Sequence, residues 1–437
     1  MKFCTTTLGC KVNQVDTEAV EGALISNGHV LAEAGDGCDA CIINTCAVTA
    51  ESVRKSRQAV RRMRKLEPGA LIAVCGCLSQ LEAEAAEALG ADVVGGSADR
   101  LGFALEIEKL CAERSDGDLV DFRKLVDGGP PEGGQFEELP LCGPSGRTRA
   151  FLKIEDGCDN FCAYCVIPYA RGRVRSLPLE RIAAHAQALA ERSFKEIVVT
   201  GVEISSYGKD LASGTTIIDA VREISRAAPN VRLRLGSLAP SALTKEFCGE
   251  LAAFPNICGH FHISLQSGCD ETLRRMGRKY EAGAVMDAMS SLRALFPDCG
   301  ITADLITGFP GETDEEFEQT LSFIKAARFS SMHVFPFSQR PGTKAADMPE
   351  QVKKMVRRER AHVAKEAADV MAADFARRQI GKTVQVLFER ERNGFWTGHS
   401  ENYIEVAVRQ GGRKNAVFTV KLTDIADGRV FGEIRNR

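Results

Sequence analysis

The sequence has no apolar run of about 18 residues, the length that a transmembrane helix needs. Its first ten residues, MKFCTTTLGC, lack the charged and apolar segments of a secretory signal peptide, so we expect a cytoplasmic protein without a membrane span. A net charge of −3 argues against nonspecific coating of nucleic acid, although it leaves room for local basic surfaces. Internal repeats and low-complexity segments are also lacking.

Cysteine, by contrast, is abundant. Sixteen cysteines are spread over 437 residues without a secretory leader, and in a reducing compartment such cysteines indicate metal or redox sites rather than disulfides. A chain of this length also exceeds one compact core, so two or three domains are expected.

The order of apolar runs predicts an α/β fold with three domains. Residues 1–112 alternate strand and helix patterns, which is typical of a parallel sheet covered on both faces. Residues 113–146 are rich in Gly, Pro and acids, as in a linker. Residues 147–378 hold six β/α units, which favours a partial (β/α)6 barrel. Residues 379–437 alternate short strands with Asn-Gly, Gly-Gly and Asp-Gly turns, so an all-β module of the kind that often binds oligonucleotides is expected.

Individual elements follow from the same patterns. The predicted strands are 2–8, 40–44, 71–75 and 91–95 in the first domain, and 150–155, 196–200, 232–235, 260–264, 300–307 and 332–335 in the second. The predicted helices are 17–27, 52–66, 80–89 and 100–111, followed by 179–192, 216–227, 245–254, 282–295, 314–327 and 352–378.

The most informative motif is Cys158-x3-Cys162-x2-Cys165, directly after the first strand of the predicted barrel. Three closely spaced thiolates can hold one iron–sulfur cube and leave its fourth iron without a protein ligand. A closed structural site takes four protein ligands, whereas an open position accepts a substrate or cofactor. The alternative is a zinc loop completed by a distant fourth ligand such as His185.

A second cysteine set lies in the first domain. Cys10, Cys46 and Cys77 each follow a predicted strand, so they can converge at the carboxyl edge of one parallel sheet. Buried, inert thiols are the simpler interpretation, but the flanks Gly-Cys, Asn-Thr-Cys and Gly-Cys favour a shared site. Cys75 stands two residues before Cys77, so its side chain shares that direction on a strand and leaves open which of the two binds.

CxxxCxxC with Tyr164 before its last cysteine resembles the radical S-adenosylmethionine (SAM) superfamily. This resemblance implies a [4Fe–4S] cluster on Cys158, Cys162 and Cys165, with SAM bound to the free iron and cleaved to a 5′-deoxyadenosyl radical. Other segments at the predicted strand ends are then expected to contact SAM, and the candidate residues are Glu203, Ser237 and Gln266.

With both cysteine sets, nearly the whole chain resembles the methylthiotransferase family. The resemblance implies an auxiliary [4Fe–4S] cluster on Cys10, Cys46 and Cys77 and a C-terminal module of the TRAM type. The cysteines that are then expected to be structural are Cys4, Cys38, Cys41, Cys111, Cys142, Cys248, Cys258, Cys269 and Cys299.

The string GCKVNQ resembles the MtaB-type subfamily, which modifies N6-threonylcarbamoyladenosine at position 37 of tRNA. This implies methylthiolation at C2, an unactivated C–H that calls for radical chemistry from a cofactor, with SAM as both methyl donor and radical source. The implied partners are a tRNA anticodon arm and an electron donor such as flavodoxin or ferredoxin. The alternatives are isopentenyladenosine or a ribosomal protein as substrate, or a zinc-stabilised RNA-binding protein without catalysis.

Several basic or aromatic segments are candidates for RNA contact. Residues 52–65 carry seven basic residues and no acid. Arg171, Arg173 and Arg175 are expected to line the substrate cleft. Phe395 and Trp396 in the basic tail are candidates for base stacking, although ordinary packing is the simpler interpretation.

Overall fold

The computed structural model describes residues 1–115, 123–126, 134–141 and 147–435. Most of the predicted linker, and Cys142 with it, lies outside the described residues. Within them, no helix is both long and apolar enough to cross a membrane. The α/β fold class predicted from the sequence is confirmed, with a parallel sheet, a partial barrel and a small closed barrel in chain order.

The first part of the chain is a six-stranded parallel sheet in the order β2-β1-β3-β4-β5-β6. Every residue of the third and fourth strands is buried, because helices cover both faces of a parallel sheet. The strands are β1 (Lys2–Thr7), β2 (Val30–Leu31), β3 (Ala40–Thr45), β4 (Leu71–Gly76), β5 (Val93–Val94) and β6 (Arg123–Lys124); the helices are α1 (Lys11–Ser26), α2 (Ala50–Leu66), α3 (Cys77–Leu81), α4 (Ala83–Glu87) and α5 (Arg100–Ser115).

The central part is a barrel made of two parallel sheets, β11-β10-β7 and β12-β13-β14-β15. Its third strand is interrupted at Gly236, and a bridge between Leu233 and Ile257 joins the two sheets. The edge strands of the barrel are β7 and β15, and α1 of the first part packs against β7.

The strands of the central part are β7 (Arg149–Lys153), β8 (Glu155–Asp156), β9 (Arg175–Ser176), β10 (Glu196–Thr200), β11 (Arg232–Leu235), β12 (Ser237–Leu238), β13 (His260–Gln266), β14 (Gly300–Thr307) and β15 (Ser331–Pro336). The helices are α6 (Ile167–Arg171), α7 (Leu179–Glu191), α8 (Ile217–Ala227), α9 (Lys245–Ala252), α10 (Asp270–Arg275), α11 (Ala282–Leu295), α12 (Asp314–Ala327), α13 (Lys344–Asp347) and α14 (Lys354–Gln379).

The C-terminal module is a closed five-stranded barrel in the order β16-β17-β18-β20-β19. Two of its hairpins turn at Asn393-Gly394 and Asp427-Gly428, and all four residues have the positive φ that such turns require. Its strands are β16 (Thr383–Arg392), β17 (Phe395–Ser400), β18 (Glu405–Val408), β19 (Ala416–Ala426) and β20 (Arg429–Ile434). The domain boundaries at residues 112, 146 and 378 stay predictions.

This module closes the amino-terminal end of the central barrel. The guanidinium of Arg234 in β11 donates to the carbonyl oxygens of Ser400 (3.0 Å) and Glu401 (2.9 Å). The ring of Tyr403 stacks on His260 at the start of β13, with 4.4 Å between ring centroids. The carboxyl ends of the barrel strands, where the cysteines lie, are therefore at the opposite end.

Glu196, in β10, makes this junction sensitive to pH. Burial alone would raise the pKa of its carboxyl, but Arg234 (2.8 Å) and Arg232 lower it to about 2. A carboxyl with a lowered folded pKa stabilises the fold above its unfolded pKa of about 4.3 and loses that contribution as the pH falls toward 2.

We expect the Glu196 carboxyl to account for about 3 kcal/mol of unfolding free energy lost between about pH 5 and about pH 2. Urea unfolding at both pH values should show a weaker pH dependence for Glu196→Gln; an equal dependence would contradict the assignment.

Candidate functional site

The first cysteine set lies in a tight loop after β8, at the carboxyl end of the first barrel strand. The N–H of Cys158 donates to the carbonyl oxygen of Gly172 (3.0 Å), and the N–H of Cys165 donates to that of Cys162 (2.9 Å). Cys158 and Cys162 are each 8% exposed, and all three thiols are free. The loop therefore brings together three reduced thiols that are largely withdrawn from solvent.

Burial of these thiols has an electrostatic consequence. It raises the pKa of Cys158 to about 11 and that of Cys165 to about 12, because thiolates are poorly solvated there. A nearby positive charge offsets this cost, and Arg278 supplies one: its Nη1 lies 3.1 Å from the Sγ of Cys162. Bound iron ions would likewise stabilise the thiolates of all three cysteines, so the donor set fits a cationic cluster.

Glu203, the predicted SAM contact after β10, lies beside this loop. Its Oε2 accepts from the Nδ2 of Asn160 (3.2 Å), and its N–H donates to the Oε2 of Glu155 (2.9 Å). The Oε1 atoms of both glutamates are buried and have no hydrogen-bond partner among the described residues. Buried carboxylate oxygens normally have partners, so this pair fits a missing donor such as an ammonium group.

The other two predicted SAM contacts occupy strand ends. Ser237 opens β12 and lines a large cavity, whereas Gln266 ends β13 with a left-handed φ of 67°. Their contacts with SAM stay predictions. Glu155 and Arg278 were not identified from the sequence.

The second cysteine set meets at the carboxyl edge of the first sheet. Cys10 caps α1, Cys46 follows β3 and Cys77 opens α3 after β4. The Sγ atoms of Cys10 and Cys77 are each 3.9 Å from the Oδ1 of Asn13. A Cβ added at Gly9 would lie 3.1 Å from the Sγ of Cys46, which places Cys46 against the turn that carries Cys10.

Glycine before two of these cysteines has a conformational reason. Gly9 and Gly76 both have a φ of 104°, which side chains rarely adopt. A Cβ on Gly76 would also lie only 2.5 Å from the carbonyl oxygen of Thr45. These glycines allow the backbone to turn sharply out of each strand, so that the thiols face one another.

Cys75 differs from Cys77 in its surroundings. Cys75 packs in the sheet core with Phe3 and Phe103, whereas Cys77 packs with Ala47 and lies beside Asn13. Burial raises the pKa of both thiols to about 11. Of the two, the geometry favours Cys77 as the ligand, which stays a proposal.

A buried charge network joins the two cysteine sets. Arg171, at the end of α6, donates to the Oδ1 of Asn13 (2.7 Å), to Asp16 (2.8 Å) and to Asp156 (2.9 Å). Lys153 bridges the same two aspartates at 2.8 and 3.2 Å. Burial would raise the pKa of Asp16, but Lys153 and Arg171 hold it well below its usual range.

The expectation that Arg171 lines an open cleft is therefore wrong, because its side chain is only 1% exposed and links α1 to the barrel. Arg173, two residues later, is 73% exposed and pairs with Asp159 at 3.2 Å. The sequence alone could not show that Arg171 is buried and Arg173 exposed, because the burial of Arg171 depends on a helix more than 150 residues away.

A cavity of about 640 Å³ lies between the three parts of the chain. His262 projects into it between the Oγ1 of Thr302 (2.9 Å) and Asp304 (3.2 Å). Its polar lining residues include Lys11, Gln14, Arg149, Arg234, Ser237, His262, His333, Asn402 and Tyr403. This arrangement suits a polar ligand held between the first sheet and the barrel.

Acidic side chains nearby balance more of the positive charge of helix α2 than its sequence suggests. Glu51, Glu82 and Asp92 lie within 4 Å of four of its seven cations, which are Arg54, Lys55, Arg57 and Arg64. The remaining Arg61, Arg62 and Lys65 are exposed and have no acidic partner among the described residues. They leave a smaller basic surface than predicted.

The alternative of a zinc loop requires a fourth ligand, for which His185 was the candidate, and His185 lies elsewhere. The Nε2 of His185 lies 2.8 Å from the Oε1 of Glu138 rather than beside the cysteine loop.

Comparison with known proteins finds relatives that match nearly the whole length of the chain. The model of the Radical SAM superfamily matches residues 152–324, and that of Uncharacterized protein family UPF0004 matches residues 2–96. Threonylcarbamoyladenosine tRNA methylthiotransferase MtaB of Bacillus subtilis (strain 168) is 36% identical over 412 residues, which cover 92% of this chain and 89% of the relative. The tRNA-2-methylthio-N(6)-dimethylallyladenosine synthase of Pelotomaculum thermopropionicum is 32% identical and covers 96% of this chain and 92% of its own length.

Among solved structures, the radical SAM methyltransferase TsrM of Kitasatospora setae has a TM-score of 0.55 at 16% identity. The match covers 79% of this chain and 75% of that one. At this identity the likeness concerns the fold alone.

Proposed function

The chain belongs to the family of radical SAM tRNA methylthiotransferases, and we propose that it methylthiolates C2 of N6-threonylcarbamoyladenosine at position 37 of tRNA. Enzymes of this family use SAM and two [4Fe–4S] clusters. When bound, these groups supply the methyl group and the carbon radical that an unactivated C–H requires.

The residues that would hold the groups follow from the site. Cys158, Cys162 and Cys165 are the proposed ligands of the SAM cluster, and Cys10, Cys46 and Cys77 those of the auxiliary cluster. Glu203 would accept from the amino group of SAM through its unpartnered Oε1.

One observation carries this proposal: the two cysteine sets are held against each other by the same few residues. Arg171 reaches Asn13, which touches both Cys10 and Cys77, while the next residue, Gly172, accepts the N–H of Cys158. Groups held by two sets that share these residues would reach one substrate atom without long-range movement of the protein.

The choice of threonylcarbamoyladenosine rests on the nearer relatives, whose identities reach 36%, and on the polar lining of the cavity. Relatives named for dimethylallyladenosine are only slightly more distant, at 32%. A tRNA anticodon arm as partner, docked on Arg61, Arg62 and the basic C-terminal module, and a flavodoxin or ferredoxin as electron donor belong to the same proposal.

The deciding experiment is mass analysis of tRNA nucleosides from a strain that lacks the gene. We expect 2-methylthio-N6-threonylcarbamoyladenosine to disappear and its precursor to accumulate, with both restored by the intact gene. Persistence of the methylthio nucleoside would reject this substrate, and loss of the isopentenyl derivative instead would assign the chain to the other substrate.

Glu203→Gln should weaken SAM binding, because an amide oxygen accepts an ammonium donor less strongly than a carboxylate does. The dissociation constant of SAM is expected to rise roughly 10-fold or more, in line with hydrogen bonds to charged groups. Isothermal titration of the reconstituted protein measures it, with Glu180→Gln on α7 as the control. Unchanged SAM affinity would remove Glu203 from the site.

A further inference from the structure

The large cavity contains three fixed cations, and one of them lacks a carboxylate partner. Arg149 pairs with Glu389 (3.2 Å) and Arg234 with Glu196 (2.8 Å). Lys11 has no acidic partner in the part of the chain that the structure describes. Its ammonium is therefore available to an incoming anion.

The residues that line the cavity with Lys11 include more cations than carboxylates. The lining has one carboxylate, Glu405, which lies 3.6 Å from Arg390. The guanidinium groups of Arg149 and Arg234 line the same cavity and repel the ammonium of Lys11. An anion placed in this cavity would relieve that repulsion, so the cavity is suited to a negatively charged group.

The substrates named for the two groups of relatives differ in the charge of the N6 substituent. The threonylcarbamoyl substituent ends in a carboxylate and a hydroxyl group, whereas the dimethylallyl substituent is a hydrocarbon. A hydrocarbon would leave the ammonium of Lys11 without a partner in a partly closed cavity, which is unfavourable. A carboxylate would satisfy the ammonium.

We propose that Lys11 binds the carboxylate of the threonylcarbamoyl substituent and so selects this nucleoside over those with an apolar N6 group. The inference rests on the proposed function. Lys11 directly follows Cys10, so this contact would also fix the base relative to the second cysteine set. Lys11 thereby acts as a specificity-determining residue of that site.

The test compares an acid with its neutral analogue on the reconstituted protein without reductant, so that no turnover occurs. The probes are an anticodon stem-loop RNA with N6-threonylcarbamoyladenosine at position 37 and the same RNA with the carboxylate converted to a methylamide. We expect the wild type to bind the acid roughly 10- to 100-fold more tightly, the range of a charge-assisted hydrogen bond.

Lys11→Met should bind both RNAs equally, at the wild-type affinity for the amide, and that amide binding also reports correct folding. Lys11→Arg should retain the preference. Lys245→Met is the matched control, because Lys245 is likewise exposed and opens a helix but lies outside the cavity.

Two results would overturn the inference: a wild type that does not distinguish acid from amide, or a Lys11→Met variant that still does. The proposed function is tested separately by adding SAM and reductant. If the wild type cleaves SAM but methylthiolates neither RNA, the proposed function fails; if it modifies both RNAs equally well, only the role of Lys11 fails.

Discussion

Cys162→Ala is expected to abolish both SAM cleavage and formation of the methylthio product, whereas Cys46→Ala is expected to abolish product formation alone. Cys162 belongs to the set beside Glu203, and Cys46 to the set around Asn13. Each variant should retain about four of about eight irons per chain after anaerobic reconstitution, because each would remove one proposed ligand of one cube.

Iron analysis and chromatography of 5′-deoxyadenosine measure these outcomes. Cys248→Ala is the matched control, since Cys248 is fully buried in the core of the central barrel and belongs to neither set. Full iron content in either ligand variant, or loss of SAM cleavage in Cys46→Ala with its first cluster intact, would contradict the separation of roles.

Arg171→Met is expected to lower the free energy of unfolding by about 3–5 kcal/mol, the usual cost of breaking a buried ion network from one side. The substitution leaves Asn13, Asp16 and Asp156 with buried oxygens that have lost a donor. It also removes a positive charge beside Cys10 and Cys77, where the network has three cations for two carboxylates and so favours thiolates.

Arg173→Met is the control within the same segment, because its exposed ion pair should contribute less than about 1 kcal/mol. Urea unfolding of both variants, together with the absorption of the reconstituted clusters, measures the difference. Equal stability of the two variants would show that the network does not hold the first sheet to the barrel.

Much of the fold could be predicted because its strands are continuous apolar runs between turn residues. The predicted strands 196–200, 232–235 and 300–307 coincide with β10, β11 and β14. Helix α1 was the largest error: it begins at Lys11, six residues before the predicted start. Its first two turns contact the barrel through Asn13 and Asp16, so polar residues that resemble a loop in the sequence are buried by tertiary contacts.

The cysteine positions were accessible to sequence reasoning because strand ends in a parallel sheet share one edge. Their electrostatic partners were not. Arg278 contacts Cys162 across 116 residues, and Arg171 contacts Asn13 across 158. The first pair depends on how the central barrel closes and the second on how the first sheet docks on the barrel, and no local pattern in the sequence gives a signal for either.

The stacking of Tyr403 on His260 fixes the C-terminal module to the barrel as one wall of the cavity that Lys11 lines. An RNA arm bound to this module would therefore have a fixed position relative to the cavity. Only the nucleotide at one distance along the arm would then reach the cavity, and its neighbours in the loop would not.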